Sequence, residues 1–201
     1  VTMLYAAFHA LFKTDMKSVL AYTTVSALGI LVFLTGVGSA QALQAALLFV
    51  MVHALYKAAL FLVTGGVDHA VHTRNLLRLG GLYKALPMVG LAAFLAALLN
   101  GGFPPTLGFI GKDLMYEALL HHPMAMVLLP ALLLTKVMLI YAGFQVGLRP
   151  FIGPAKHPSE VEPVSPWLWV PPLVLAIGGL LLGLFPMGLQ SLLAAAAQAV
   201  G

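Results

Sequence analysis

Long apolar stretches alternate with short polar segments along the chain, and most of these stretches hold about 20 residues or more. A helix of about 20 apolar residues crosses the roughly 30 Å of hydrocarbon in a bilayer. Alternating strand patterns are absent. The pattern therefore predicts an all-α integral membrane protein, a bundle of about 6–7 transmembrane helices. The first predicted segment ends near residue 12, and the next cover 18–37, 42–67, 86–120, 123–147 and 167–185, followed by the start of a seventh.

The composition supports a membrane protein and excludes several kinds of site. The chain is 61% hydrophobic and 8% charged, with a mean hydropathy of +1.01, whereas soluble domains carry about 25% charged residues. It has no cysteine, which excludes disulfides, thiolate metal sites and cysteine-bound iron–sulfur clusters. We expect a lipid bilayer around the chain, no cofactor and no nucleic-acid partner, and the sequence defines no metal site.

The fourth segment, 86–120, is too long for one crossing, since 35 residues of helix would extend about 52 Å. Its middle reads NGGFPP, from Asn100 to Pro105. Proline removes a backbone donor and glycine tolerates unusual dihedrals. The run predicts two half-helices joined by an unwound stretch in mid-membrane, an arrangement that transporters use for ion sites. Two re-entrant pieces or a simple proline kink are the alternatives.

The positive charges favour a single broken crossing. With one crossing at 86–120, every basic residue outside the apolar segments falls on one side, in loops 13–17, 68–85 and 148–165, and the opposite loops carry none. Because positive residues favour the cytoplasmic side, these three loops are predicted to be cytoplasmic. The seven residues are Lys13, Lys17, Arg74, Arg78, Lys84, Arg149 and Lys156.

Three lysines lie deep inside three different apolar segments: Lys57, Lys112 and Lys136. A charged side chain at the centre of a bilayer costs about 2.5–3.5 kcal/mol on insertion scales. Lys57 and Lys136 are too far from a segment end for their amines to reach the interface easily. An ion or proton path through the membrane is the default interpretation of such residues.

His53 and Lys57 are four residues apart, so they share one face of a helix. Loss of water disfavours the ammonium form of a buried lysine, which allows the side chain to release and take up a proton, and a nearby imidazole can relay it. The alternative is a structural role, in which backbone carbonyls hold the lysine and the contact stabilises helix packing.

Lys112 and Asp113 follow the predicted break, near the start of the second half-helix. The positive end of that helix favours the Asp113 carboxylate, which could modulate Lys112 or help to bind a cation, with Glu117 one turn further on. The alternative is an inert Lys112–Asp113 ion pair. Lys136 has no partner close to it in the sequence. Gly179 and Gly183 form a small-residue face suited to helix packing.

Three motifs resemble one known family. FKTDMKSVLAYTTVSALG (12–29), HALYKAALF (53–61) and GFPPTLGFIGKD (102–113) are similar, in order and spacing, to segments of the antiporter-like membrane subunits. That family includes the A-type component of Mrp-type multisubunit Na+/H+ antiporters and the large proton-pumping subunits of respiratory NADH dehydrogenase. The resemblance covers roughly 7–147, and within the family these sequences are most similar to the Mrp A-type branch.

The resemblance implies an antiporter-like fold of two inverted repeats, each with a broken helix. This chain would then be a fragment of a longer subunit. Residues 1–150 would hold most of the second repeat, 151–166 a polar loop, and 167–201 additional transmembrane helices. The implied proton-relay positions are His53, Lys57 and Lys112, and Phe49 stands where the family has a second histidine.

The implied function is that of a membrane subunit of a Na+/H+ antiporter in the cell membrane. It would be a secondary transporter rather than an enzyme, and would work with other membrane subunits. The nearest alternative is a proton-translocating membrane subunit of NADH-quinone oxidoreductase or of a membrane-bound hydrogenase. A third is a structural scaffold, in which each deep lysine would contact a carboxylate.

Overall fold

The computed structural model of the chain describes residues 1–120, 122–156 and 161–186. These residues form seven α-helices and one 3-10 turn, with a single isolated β-bridge and no strand, which confirms the predicted all-α fold. The predicted seventh apolar segment and residues 157–160 of the polar loop lie outside the described residues. The elements are α1 (Thr2–Leu11), α2 (Met16–Val37), α3 (Ala40–Val71), the 3-10 turn (Leu82–Lys84), α4 (Pro87–Gly101), α5 (Leu107–Leu120), α6 (Ala125–Gly147) and α7 (Pro166–Leu184).

Local sequence accounts for several helix ends. The Asp15 carboxylate accepts a hydrogen bond from the backbone N–H of Ser18 and caps α2, and the Ser39 hydroxyl caps α3 in the same way. Gly38, between them, adopts the left-handed conformation that ends α2. Pro87 and Pro166 lie in the first turns of α4 and α7, where a missing N–H costs nothing.

Among the described helices, α2, α3, α6 and α7 are long and apolar enough to cross a membrane, and α1 and α4 are shorter apolar helices. The 15 residues of α4 and the 14 of α5 correspond to about 21–23 Å each, less than a full crossing. Between them lies the break, residues 102–106, which begins with Gly102 in the left-handed conformation (φ 65°). The predicted interruption of the fourth segment is confirmed.

The end of α3 differs from the sequence-based prediction. The apolar pattern predicts a segment over 42–67, but the helix continues to Val71 and includes Asp68 and His69. The His72 N–H bonds to the Asp68 carbonyl at 2.9 Å and closes the last turn. Hydropathy reports the part of a helix that is buried in lipid, and polar residues can extend the same helix beyond it.

The long helix α3 lies at the centre of the bundle and packs against α2, α4, α5 and α7. The helix α7 also packs against both half-helices, α4 and α5. The helix α6 packs mainly against α4, α1 and α2, and it also contacts α5 and α3. Both half-helices therefore pack against other helices, while residues 103–105 of the break are exposed.

The three basic loops meet at one end of the bundle. The Met16 N–H bonds to the Arg74 carbonyl, and Arg74 forms ion pairs with Asp15 (3.3 Å) and Asp68 (3.6 Å). The Gly81 N–H bonds to the Ile152 carbonyl at 3.2 Å, which joins the second loop to the third. Loops 13–17 and 68–85 and the described parts of the third loop, 148–156 and 161–165, thus share one face of the molecule, as the charge pattern predicts.

At this end, His72 bonds to the exposed carboxylate of Glu162 at 3.0 Å. This hydrogen bond, with the positive charge of His72 when protonated, lowers the pKa of Glu162 from its usual value. The Glu162 backbone N–H bonds to the Ala70 carbonyl at 2.9 Å and holds the loop on the end of α3 independently of the side chain.

Candidate functional site

The amine of Lys57 is held by the neighbouring helix α2. The side chain is 6% exposed, and its Nζ donates to the Leu20 carbonyl at 3.0 Å and to the Thr23 hydroxyl oxygen. The Thr23 hydroxyl in turn donates to backbone carbonyls of its own helix, including that of Val19 at 2.9 Å. Lys57 is therefore buried with oxygen acceptors supplied by a continuous helix.

His53 lies one turn before Lys57 on α3 and is partly buried. Its Nδ1 is 2.8 Å from the Tyr56 hydroxyl, a hydrogen bond within the same helix. His53 and Lys57 are close enough for their charges to interact. A histidine that is hydrogen-bonded at one ring nitrogen keeps the other for a second partner, as a proton relay requires.

The amine of Lys112 reaches back to the break. Lys112 lies on α5, and its Nζ donates to the Gly102 carbonyl at 3.0 Å and lies 5.4 Å from the centre of the Phe109 ring. Gly102 is the residue that ends α4, so its carbonyl lies beyond the last helical residue of that half-helix. The break thus supplies the acceptor for Lys112.

Lys136 lies on α6 and is also 6% exposed. Its Nζ is 5.1 Å from the centre of the Phe49 ring. The Phe49 ring is itself 5.9 Å from the His53 ring. Phe49 therefore lies beside both residues, with its ring towards the Lys136 amine in a cation–π arrangement.

These side chains come together from three helices. His53 is close enough to interact electrostatically with Lys57 and with Lys136, and Lys136 interacts in the same way with Lys112. These pairwise interactions connect Lys57 to His53, His53 to Lys136 and Lys136 to Lys112, and we call this set, drawn from α3, α6 and α5, the lysine line. Lys136, which lacks a partner near it in sequence, is its connecting member.

The half-helix α4 is tied to α6 close to this line. The Asn100 side-chain amide donates to the Leu139 carbonyl at 3.0 Å, three residues from Lys136. A Cβ on Gly143 would overlap this amide, so glycine makes room for it. The upstream end of the break and the connecting lysine are therefore held by the same stretch of α6.

The structure does not bring Asp113 into the lysine line. Asp113 and Glu117 are exposed on α5, and within the described residues neither forms an ion pair with Lys57, Lys112 or Lys136. No group of histidines and carboxylates able to hold a metal ion is found in the part of the chain that the structure describes. The carboxylate contacts expected of a scaffold with paired lysines are not seen in these residues.

Two contributors to the site are absent from the residues selected by sequence reasoning, namely Thr23 and the ring of Phe49. Thr23 lies in the run AYTTVS, where a hydroxyl inside an apolar helix was an available signal. The resemblance places Phe49 where the family has a second histidine, but it does not indicate a contact with Lys136. Its contact with Lys136 joins positions 87 apart in the chain, which no local pattern reveals.

Comparison with known proteins identifies the family. The family model described as "NADH:quinone oxidoreductase/Mrp antiporter, TM" matches residues 1–139, which include Lys57, Lys112 and Lys136. The chain belongs to this family. In agreement with its long apolar helices, the chain is a multi-pass membrane protein.

Named relatives agree with this assignment. The A1 component of a Na(+)/H(+) antiporter from Staphylococcus saprophyticus is 30% identical over the whole of this chain, which spans 28% of the relative's length. The A/B component of a probable K(+)/H(+) antiporter from Rhizobium meliloti is 38% identical over 60% of the chain, or 12% of that relative. The chain is thus similar to a small part of each of these much longer proteins.

Two solved structures share the fold. In the Mrp complex from Dietzia sp. DQ12-45-1b, the matching chain superposes with a TM-score of 0.85 at 32% identity, over 99% of this chain and 22% of that one. Respiratory complex I from Thermus thermophilus matches with a TM-score of 0.71 at 26% identity, over 92% and 42%. The antiporter-like fold predicted from the motifs is confirmed.

Proposed function

We propose that this chain is the proton-relaying part of a membrane subunit of a Na+/H+ antiporter, similar to the A-type component of Mrp complexes. The observation that carries the proposal is the lysine line, in which two buried amines, one half-buried amine and one imidazole are connected across three helices. Lys57, His53, Lys136 and Lys112 are the proposed relay residues, and Asp113 has the lesser proposed role of binding or attracting a cation beside the line.

The chemistry of the line suits proton transfer. An amine that loses water releases its proton more readily, and a protonated neighbour at short range makes that release easier still, because Coulomb interactions are strong where the dielectric is low. Protonation of one member then favours proton loss from the next. Hydroxyl, carbonyl and π-face partners can hold an amine without fixing its charge, which a carboxylate partner would do.

The relatives support the exchange of a cation for protons. Two of them are named as parts of Na+/H+ and K+/H+ antiporters, so a monovalent cation is the proposed counter-ion, with sodium favoured by the relative that matches the whole chain. The structure from Dietzia is of a complex, which supports other membrane subunits as partners. The shared position of the basic loops supports a cell-membrane location with loops 13–17, 68–85 and 148–165 in the cytoplasm.

The experiment is exchange measured in membrane vesicles that carry the full-length protein in its complex. We expect Lys57→Ala and Lys112→Ala each to abolish sodium-driven proton movement, with normal amounts of assembled complex. Lys84→Ala, an exposed lysine in a basic loop, is the control and should exchange at the wild-type rate. Normal exchange in both Lys57→Ala and Lys112→Ala would defeat the proposal.

The second candidate is a proton-translocating subunit of a redox-driven complex. It is favoured by the similarity to a chain of complex I, although both the TM-score and the identity are lower than for the Mrp complex. In such a subunit the same lysine line would carry the protons. Addition of NADH and a quinone to the vesicles distinguishes the two, because only a redox pump would then move protons without a sodium gradient.

A further inference from the structure

The helix α7 lies directly against the break. Its face of small residues, Ala176, Gly179 and Gly183, points towards α4 and α5 rather than towards an open surface. A Cβ on Gly183 would overlap backbone atoms of Pro105, Thr106 and Leu107. The backbone of α7 therefore touches the backbone of the break with no side chain between them.

The second glycine of this face packs against the upstream half-helix. A Cβ on Gly179 would overlap the side chain of Leu99, which is fully buried on α4. Gly178, the preceding residue, has nothing within 4 Å of its Cβ position. The close approach is thus confined to one side of α7, the side that faces the two ends of the interrupted segment.

The break has little freedom of its own to move. A Cβ on Gly108, at the start of α5, would overlap the Leu99 carbonyl, and one on Gly102 would lie 2.9 Å from the Gly108 carbonyl oxygen. The two half-helices therefore meet backbone to backbone. A displacement of residues 105–107 by α7 would be passed to Gly102, whose carbonyl accepts the hydrogen bond from Lys112.

We propose that α7 is a positioning element of the relay: Gly183 lets it clamp the break and so sets the place of the Gly102 carbonyl relative to the Lys112 amine. This proposal rests on the proposed role of Lys112 in exchange. The helix lies beyond the residues that match the family model, 1–139. On this view α7 belongs to the transport unit and is not an added membrane anchor.

The test is Gly183→Ala in the full-length protein within its complex, assayed in vesicles for sodium-driven proton exchange per assembled complex over a range of pH. We expect the rate to fall at least about tenfold, since displacements near 1 Å at a reacting centre can cost about 100-fold. We also expect the pH profile to move, because the acceptor of Lys112 is displaced. Gly178→Ala, on the open side of the same helix, should stay within about twofold of wild type with an unchanged profile.

A second pair of variants covers the case in which Gly183→Ala fails to assemble. The overlap at Gly179 involves only the end of the Leu99 side chain, so removing that side chain should relieve it. We expect Gly179→Ala to slow exchange several-fold and to move the profile, and the double variant Leu99→Ala with Gly179→Ala to behave like Leu99→Ala alone. Equal effects of Gly179→Ala in both backgrounds would overturn the clamp.

Other outcomes are also decisive. If Gly183→Ala assembles and keeps the wild-type profile, whether its rate is normal or falls only with its abundance, α7 does not position the relay. If Lys112→Ala abolishes exchange in the same experiment, that result would remove the α7 inference and leave the proposed function intact. If Lys112→Ala exchanges normally, the proposed function itself falls.

Discussion

Lys57 and Lys112 each place an amine inside an apolar bundle, but their hydrogen-bond acceptors come from different kinds of backbone. Lys57 lies on the uninterrupted helix α3 and finds its acceptors on another uninterrupted helix, the Leu20 carbonyl and the Thr23 hydroxyl. Lys112 finds its acceptor in the interrupted segment, the Gly102 carbonyl at the end of α4. The Lys57 site uses a carbonyl and a hydroxyl group on a regular helix, whereas the Lys112 site uses a carbonyl at the point where a helix ends.

The difference has a mechanical consequence. A carbonyl within α2 also serves its own helix, so the surroundings of Lys57 can move only with that helix. The surroundings of Lys112 depend on a few residues between two helix ends, which α6 and α7 hold in place. We infer that the geometry at Lys112 is set by the neighbouring helices α6 and α7, whereas the geometry at Lys57 is set by α2 alone.

The largest expected effect comes from Gly108→Ala, which tests the packing of the interrupted segment next to Lys112. The new methyl group would overlap the Leu99 carbonyl and force the half-helices apart, at a cost of about 1–3 kcal/mol for overpacking. We expect exchange to be lost and the thermal stability of the complex to fall. Gly65→Ala on α3, which has nothing within 4 Å of its Cβ position, is the matched control and should be silent or slightly stabilising. Wild-type exchange in Gly108→Ala would contradict the close packing of the break.

Thr23→Val tests the Lys57 site, which lies between the uninterrupted helices α2 and α3. It keeps the shape of the side chain and removes the hydroxyl acceptor of Lys57, a hydrogen bond worth about 1.5–3 kcal/mol when one partner is charged. We expect the exchange rate in vesicles to fall by about tenfold or more, with normal assembly. Thr35→Val on the same helix, whose hydroxyl is exposed and bonds only within its own turn, should have no effect. Equal rates for the two variants would show that the Thr23 contact is not used.

The surroundings of Lys57 and of Lys112 could be predicted from the sequence only in part. The apolar lengths predict the helices and the NGGFPP run predicts the break, because both depend on residues close together in the chain. Lys57 and Lys112 are identified by their depth. Their partners are not, because the contact of Lys57 with Thr23 spans 34 positions, and helix packing rather than local pattern decides it. The glycine face of α7 could be recognised, but not that its partner is the break.

Phe49→Leu tests the connection between the two sides. Leucine keeps this position apolar and removes the ring face beside the Lys136 amine, a contact worth roughly 0.5–2 kcal/mol. We expect exchange to slow by a few-fold, less than in Thr23→Val. Phe61→Leu, an aromatic residue on the exposed side of α3, is the control. An effect of Phe61→Leu as large as that of Phe49→Leu would indicate a general loss of packing.

Glu162→Gln should have the smallest effect, because it changes an exposed contact far from the lysine line. The folded-state pKa of Glu162 is lowered, so any stabilisation is present above its unfolded pKa and is lost as the pH falls through the folded pKa. At neutral pH the variant should lose at most a little thermal stability, and at pH values below the folded pKa it should match wild type. A difference that grows as the pH falls would have the wrong sign for this contact.

The central claim is that Lys57 and Lys112 belong to one continuous path, and Lys136 is the residue that joins them. The most direct measurement is sodium-driven proton exchange in vesicles carrying Lys136→Met, which keeps a flexible apolar chain and removes the amine, with the assembled complex quantified in parallel. We predict assembly at the wild-type level and exchange reduced to the background seen for Lys57→Ala and Lys112→Ala. Exchange at the wild-type rate in Lys136→Met, while the two end variants are inactive, would contradict a path through α6.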